Sequence, residues 1–514
     1  MKTFVGLSYK KKVIALIIIL SIIRFIVASS VELGNDESYY WLYSQKLKWN
    51  YFDHPPMVAI WIRLFTANLL LQKYVCFLRL GSIVACGLST WFMYKCITVL
   101  SSQRAGWFGA CLYNASFYTG ITAGLFIMPD SPQMVFFTFS LWMIAKFTIN
   151  NHKWLYWILF GVSSGLCIMS KVHGVFIWIG LGFFILLKRR NWLTNSRLYI
   201  AIFIALIITC PIFIWNIQNN FATYNFQSER VVVSGFPLSW NNFIHEFIGQ
   251  FIINNPINVV LIILGFFSWK KYSFKQLTAL SIYNFISLPL AFLLLFISLF
   301  RQTLPHWSGP AYVALMPLAA IRLDKINKQI IFPNSLRWSV GTYTFFLIIC
   351  TCTIRFYPGN FGNKTKENLG AGDLTLDMYG WREAGKKFDS IYYNEISKGI
   401  MQKNSPVVCY KWWGAHLEYY FCYPQNIQMI GLGTLDSLHE YMWMNKMRNQ
   451  KVNFNTAYCI VPSNDNYNVH AQYDNYYAEI DSVTIIKIFR ANKPAINFSV
   501  FRLKGWKNNL PEAK

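Results

Sequence analysis

Acidic side chains are concentrated in one polar segment near the N-terminus of the 514-residue chain. Asp36 is followed directly by Glu37, and Asp53 with His54 comes further on, before two prolines. Neighbouring residues on a helix point about 100° apart, so Asp36 and Glu37 need not share a role. A carboxylate at such a place can take a proton from a hydroxyl group, or it can cap the start of a helix. The aromatic residues and prolines around these groups favour a functional site.

A second acid and several cations follow in other polar segments between apolar runs. Asp130 lies in a short turn between two prolines, where it either caps the next helix or joins the same site. Acids and cations at one membrane face suit group transfer from a lipid phosphate, because cations hold the leaving phosphate while a carboxylate activates the acceptor. The candidate cations and histidines are Lys171, His173, Arg230, Arg301 and His306.

The composition of the chain is that of a membrane protein. Hydrophobic residues make up 54% of it, aromatic residues 18% and charged residues only 13%. Apolar runs of roughly the 20 residues that a spanning helix needs recur up to about residue 356 and then stop. This pattern predicts a polytopic α-helical protein with about eleven spans. They are expected near 13–28, 75–98, 104–123, 132–149, 154–170, 174–187, 198–216, 247–268, 277–299, 311–323 and 338–356.

The formal net charge of +25 orients the chain in the membrane. Basic residues lie mostly between the apolar runs, for example at 10–12 and 188–190, so a nucleic-acid partner is not needed. The positive-inside rule places the N-terminus in the cytoplasm, and an odd number of spans then places the acidic segments and the C-terminal part outside. The first span lacks a small-residue cleavage motif, so it is interpreted as a retained anchor.

The polar residues 357–514 are predicted to form a separate small α/β domain, after a membrane domain of residues 1–356. Helical patterns cover 380–403 and 435–449, and strand patterns cover 406–410, 457–461 and 483–489. The eleven cysteines are scattered and show no metal-type spacing.

Five motifs together resemble the GT-C-type integral-membrane glycosyltransferases. The group includes protein O-mannosyltransferases, lipid A aminoarabinose transferases and the bacterial family 39 branch with a galacturonosyltransferase-like domain. The resemblance implies that Asp36 is the catalytic carboxylate, Asp130 a second essential acid and Asp53 a metal ligand. It also implies that His54 contacts the donor phosphate, where aminoarabinose transferases have a lysine. The motifs are Asp36-Glu37-Ser38-Tyr39-Tyr40-Trp41, Tyr51-Phe52-Asp53-His54-Pro55-Pro56, Met128-Pro129-Asp130, Met169-Ser170-Lys171 and Pro305-His306-Trp307.

The expected function is transfer of a sugar from a polyprenyl-phosphate carrier on the outer face of a bacterial inner membrane. Asp36 would accept the proton of the acceptor, with Glu37 and Asp130 as further catalytic candidates. Lipid and cell-envelope glycan acceptors rank above proteins, because the glycan-recognition inserts of eukaryotic protein mannosyltransferases are not recognisable. The donor phosphate is expected to meet His54, Lys171, Arg230, Arg301 and His306.

Three questions stay open from the sequence. A flippase for a lipid-linked substrate would also need many spans, although the predicted spans carry no central Asp or Glu. A non-catalytic assembly protein could keep the same fold. Finally, Asp53 could hold Mg²⁺ or Mn²⁺ against the departing phosphate, or cationic side chains alone could neutralise that charge.

Overall fold

The chain folds into two compact units, each built from two separate stretches of sequence. The first unit comprises Met1–Ala28 and Leu47–Leu347, and the second comprises Ser29–Lys46 and Ile348–Lys514. The polar segment that carries Asp36 therefore belongs with the C-terminal part, which differs from the predicted division at 356/357. The computed structural model describes residues 7–149, 153–233, 235, 237–268, 272–328, 330–448 and 454–507.

The first unit is a bundle of apolar helices. Among the described residues, six helices are long and apolar enough to cross a membrane, or seven if one bent pair counts as a span. Helix covers most of each predicted span, but this test does not confirm a count of eleven. The α-helices that lie wholly or mostly in this unit are Tyr9–Ser30, Met57–Phe65, Val75–Leu100, Gln103–Ala115, Asp130–Ile149, Trp154–Ser170, Phe176–Lys188, Ser196–Gln218, Ala222–Val231, Trp240–Ile253, Pro256–Phe266, Phe274–Ser298, Gly309–Ile326 and Asn334–Phe356.

The long helices match a bilayer in length and in surface chemistry. Val75–Leu100 has 26 residues, and at about 1.5 Å per residue it exceeds the roughly 30 Å of a hydrocarbon core. Large apolar side chains such as Ile22, Phe203 and Phe292 are exposed on the bundle. Lipid accommodates such a surface, whereas a soluble monomer rarely presents one.

Small residues and buried hydrogen bonds hold the helices together. A Cβ atom on Gly161 would lie 2.6 Å from the carbonyl oxygen of Ala201, so only glycine permits this approach of two helices. The buried guanidinium of Arg24 donates to the carbonyl oxygen of Gly120 at 3.0 Å and to Oδ1 of Asn114 at 3.1 Å. These bonds satisfy a charge that would otherwise be costly at this depth.

One predicted span is broken. The segment predicted as a single helix at 247–268 instead forms Trp240–Ile253 and Pro256–Phe266, with a bend of 91°. Asn255 between them has a φ of 65°, and its side chain accepts from the amide of Ile257. Pro256 cannot donate to the preceding turn, so a new helix begins there. The hydropathy of residues 247–268 alone does not predict this break.

The second unit contains a five-stranded mixed sheet in the order β2-β1-β3-β5-β4. β1 pairs in parallel with β2 and β3, whereas β5 pairs antiparallel with β3 and β4. β3 is buried along nearly its whole length, as expected for a central strand. The strands are Val407–Cys409 (β1), Met429–Gly431 (β2), Thr456–Pro462 (β3), Tyr477–Arg490 (β4) and Lys493–Trp506 (β5).

The helices of this unit agree only in part with the sequence patterns. The pattern at 435–449 forms two short helices, because His439 interrupts it with a φ of 50°; Asn449 lies outside the described residues. The patterns missed β2 and β5. The helices are Asn35–Gln45, Trp381–Ser397, Gly414–Leu417, Leu435–Leu438, Tyr441–Arg448 and Val469–Tyr473.

Candidate active site

A buried ion pair lies at the centre of the polar groups in the first unit. Nζ of Lys171 is 2.9 and 3.0 Å from the two carboxylate oxygens of Asp130, and both side chains are almost fully buried. The hydroxyl group of Tyr118 donates to the same carboxylate at 2.8 Å. These three bonds compensate the carboxylate for its loss of water.

The helix order explains why this pair forms. Asp130 begins the helix Asp130–Ile149, and Lys171 follows the last residue of the next helix, Trp154–Ser170. The two consecutive helices pack against each other. The start of one therefore meets the end of the next, and Asp130 meets Lys171.

Three histidines surround the ion pair. His54 and His306 are partly buried, and the desolvation of each ring together with the positive charge of Lys171 lowers the pKa of both. The pKa of His306 falls to about 4, although the Asp130 carboxylate opposes the shift. His173 lies beside them, with its ring centroid 5.9 Å from that of Trp307. Near pH 7, neutral imidazoles at His54 and His306 can each donate one N–H to an anion.

The helix Ala222–Val231 fixes the loop that carries Asp53 and His54. Nε2 of Gln227 donates to the backbone carbonyl of Asp53 at 2.8 Å, and the ring of Phe52 lies 4.6 Å from that of Phe226. One turn further along the same helix, the guanidinium of Arg230 lies 4.4 Å from the centre of the Phe226 ring. Arg230 also acts electrostatically on His54, so the structure brings this predicted cation to the histidine cluster.

A short helical turn, Pro305–Ser308, supplies His306 and Trp307. Directly after it, a Cβ atom on Gly309 would lie 2.3 Å from the ring of Tyr118, so glycine is required there. The turn that carries His306 thus packs against the tyrosine that binds Asp130. Sequence reasoning missed Tyr118, because it lies inside an apolar run where a tyrosine gives no functional signal.

Arg301 ends the turn after the helix Phe274–Ser298, in the segment that leads to His306. Its predicted phosphate contact stays a prediction.

Asp53 is buried, with 8% of its surface exposed. Within the described ranges, no group of three or more His, Cys, Asp or Glu side chains is arranged to hold a metal ion. The predicted role of Asp53 as a ligand of Mg²⁺ or Mn²⁺ stays a prediction.

In the second unit, the structure distinguishes the two adjacent acids. Gly34 is the N-cap of the helix Asn35–Gln45, and the buried Glu37 carboxylate accepts from the amide of Gly34 at 3.0 Å. Glu37 thus has a structural task at the start of the helix. The Asp36 side chain is exposed, so of the two it is the carboxylate that an incoming molecule can reach.

Comparison with known proteins agrees with this architecture. Residues 53–215 match the family model described as dolichyl-phosphate-mannose-protein mannosyltransferase. Over 281 residues the chain is 22% identical to lipid A galacturonosyltransferase RgtD of Rhizobium johnstonii. That match covers 54% of this chain and 58% of the relative, so the chain spans little more than half the length of the curated relative.

Solved structures show the fold. ArnT from Cupriavidus metallidurans in the apo state superposes with a TM-score of 0.60 at 13% identity, covering 96% of this chain and 98% of ArnT. The same protein bound to undecaprenyl phosphate also gives 0.60, at 14% identity, with coverage of 95% and 97%. The chain is therefore a multi-pass membrane protein with the fold of the GT-C-type glycosyltransferases. The resemblance and fold class predicted from the sequence are confirmed.

Proposed function

We propose that the chain transfers a sugar from a polyprenyl-phosphate donor to a lipid or cell-envelope glycan acceptor. The observation that carries this proposal is the buried Asp130–Lys171 pair with Arg230 and three histidines around it, an arrangement suited to a phosphate group. Two relatives support it. ArnT has been solved with undecaprenyl phosphate, and the name of RgtD gives lipid A as its acceptor.

In the proposed reaction, an acceptor hydroxyl attacks the anomeric carbon of the sugar, and the bond from that carbon to the phosphate oxygen breaks. Polyprenyl phosphate leaves with the electron pair, and the product has the inverted configuration. Lys171, Arg230 and the imidazole N–H groups would stabilise the charge that grows on the leaving phosphate. The acceptor proton would pass to Asp36, an assignment that rests on the motif resemblance and on the exposure of this carboxylate.

The charge on the leaving phosphate would be neutralised by these cationic side chains alone, or in part by Mg²⁺ or Mn²⁺ bound at Asp53. The proposed location is a bacterial inner membrane, with the N-terminus cytoplasmic and the sheet-containing unit outside. The basic residues between the apolar runs support this orientation. A fusion of alkaline phosphatase after the last residue should be active, whereas a fusion that is inactive although expressed would reverse the orientation.

Mass spectrometry of envelope lipids and glycans tests the activity. Cells with the wild-type protein should contain a species heavier by one sugar residue, and cells without it should lack that species. Asp36→Asn keeps the shape of the side chain and removes the base, so the species should fall by more than ~100-fold at equal protein level. Asp474→Asn is the matched control, because Asp474 is a well-exposed carboxylate of the same unit that pairs with the surface side chain of His470.

The outcomes separate the alternatives. Loss of the heavier species in Asp36→Asn with retention in Asp474→Asn supports the transferase. Absence of the heavier species, together with accumulation of the lipid-linked donor on the cytoplasmic side of the membrane, would favour a flippase. Unchanged envelope chemistry on deletion of the protein would overturn the proposal.

A further inference from the structure

Glu246 is a buried carboxylate of the first unit that the proposed reaction does not use. Its side chain is only 1% exposed, and it directly precedes the predicted span 247–268. A carboxylate inside an apolar helix bundle is costly unless its oxygen atoms accept hydrogen bonds. Both oxygen atoms do so: Oε1 accepts from Nε2 of Gln250 at 2.8 Å, and Oε2 accepts from the hydroxyl group of Thr303 at 2.7 Å. The second bond joins segments that are 57 residues apart in the chain.

The helix Trp240–Ile253 has one apolar outer face and one polar inner face. Large apolar side chains are exposed on the outer face at Ile244, Phe247, Ile248 and Ile252. Glu246 and Gln250 are one turn apart on the opposite face, and both are buried. Gly249 lies between them on the same face. The inner face therefore offers a carboxylate, an amide and a position without a side chain.

This inner face contacts the segment that leads to His306. Thr303, which binds Glu246, comes three residues before the histidine. A Cβ atom on Gly249 would lie 2.3 Å from Cγ of Pro305, so a larger residue at 249 would displace the proline directly before His306. The helix Trp240–Ile253 thus holds this segment by one hydrogen bond and by close packing.

The same face also binds the chain after His306. The hydroxyl group of Tyr312 donates to Oε1 of Gln250 at 3.2 Å, so the amide of Gln250 joins this tyrosine to the Glu246 carboxylate. Contacts before and after His306 in the chain therefore limit the movement of the turn that carries it.

The helix Trp240–Ile253 is itself fixed at both ends. Before its first residue, the amide of Ser239 donates to the carbonyl oxygen of Leu299 at 2.6 Å. After its last turn, the side chain of Asn255 donates to the carbonyl oxygens of Ala115 at 2.8 Å and Ser339 at 3.0 Å. The helix is thus a rigid support against which the His306 turn can be placed.

We propose that Glu246 is a positioning residue for His306: through Thr303 and the packing of its helix, it sets where the imidazole meets the donor phosphate. The inference rests on the proposed function, in which His306 donates to that phosphate. Hydrogen bonds weaken steeply when distance and angle change, so a displacement of about 1 Å at the turn is enough to impair this contact. An apolar residue at 246 would avoid the cost of a buried carboxylate but would leave Thr303 without its acceptor.

Binding of undecaprenyl phosphate to the purified, detergent-solubilised protein tests this role without a sugar donor. Thr303→Val removes the hydroxyl group at nearly constant volume and should weaken binding about 10-fold, because the His306 N–H loses its alignment with a charged acceptor. Thr303→Ser restores the hydroxyl group and should bind as the wild type does. Thr138→Val is the matched control, because the buried Thr138 hydroxyl donates to the carbonyl oxygen of Met134 in its own helix at 2.7 Å.

The same affinities are then measured in a His306→Ala background. His306→Ala alone should weaken binding about 10-fold to 100-fold. Glu246→Ala should weaken binding about 10-fold when His306 is present, whereas Glu246→Gln, which keeps an acceptor for Thr303, should restore it. Without the imidazole, Thr303→Val and Glu246→Ala should each change the affinity by less than about 2-fold, because they act through His306.

Wild-type affinity in folded Thr303→Val and Glu246→Ala would overturn the inference. Equal losses with and without the His306 ring would also overturn it, because a purely structural residue gives that result. If His306→Ala binds as tightly as the wild type, the inference and the phosphate contact of His306 fail together. Unchanged envelope chemistry on deletion of the protein overturns the proposed sugar transfer, and the binding measurements then still decide whether Glu246 acts through His306.

Discussion

Removal of the Lys171 charge is the sharpest test of the ion pair in the first unit. In Lys171→Met the side chain keeps much of its apolar stem, but Asp130 loses two bonds of 2.9 and 3.0 Å. The hydrogen bond from Tyr118 remains. A buried carboxylate without its cation costs about 3–5 kcal/mol. That is a large share of the roughly 5–15 kcal/mol by which folded proteins are commonly stable.

The double variant Asp130→Asn with Lys171→Met provides the matched comparison. Both charges are absent in it, so neither is left alone in the interior. Its free energy of unfolding should be closer to that of the wild type than the sum of the two single variants predicts. The change in unfolding free energy of the double variant, minus the summed changes of the two single variants, gives the interaction energy between Asp130 and Lys171. We expect this interaction energy to exceed about 2 kcal/mol.

Unfolding by denaturant titration of the detergent-solubilised protein, followed by tryptophan fluorescence, gives these free energies. Transfer by the folded fraction of Lys171→Met should also fall by more than ~100-fold, because the leaving phosphate loses a cation. The reasoning is refuted if Lys171→Met is as stable as the wild type, or if the costs of the single variants simply add in the double variant.

Two further predictions concern pH and metal. Burial lowers the folded pKa of His416 to about 3, below its ordinary value of 6.5, so the folded state resists protonation of this ring while the unfolded state accepts it. Protonation of His416 therefore does not affect the free energy of unfolding above pH 6.5. Below that, the free energy of unfolding decreases as the pH falls from 6.5 towards 3. The unfolding free energy of His416→Gln should therefore change less with pH over this window, and equal slopes for variant and wild type would contradict the burial argument. For the metal, protein stripped by a chelator should lose transfer activity and regain it with Mg²⁺ or Mn²⁺ if Asp53 holds a cation, and Asp53→Ala should then not respond to the added ion. Full activity after verified metal removal would exclude Asp53 as a metal ligand.

The amino-acid sequence by itself determined the class of protein and most of its helices. Whether a segment is stable in lipid depends on its own length and apolar content, so helix covers most of each predicted span, apart from the break within 247–268. The motif resemblance to GT-C-type glycosyltransferases was also readable from local residues. Both are properties of short stretches of chain.

Tertiary structure decided which of these residues meet. Asp130 and Lys171 were separate candidates in the sequence, and only the packing of two successive helices makes them an ion pair. The task of Glu37 and the break at Asn255 depend likewise on backbone geometry that composition does not encode. Asp377 contacts Asn35 across more than three hundred residues of chain, so no local pattern could reveal it. Long-range contacts arise from how whole elements pack, and that information is distributed over the entire sequence.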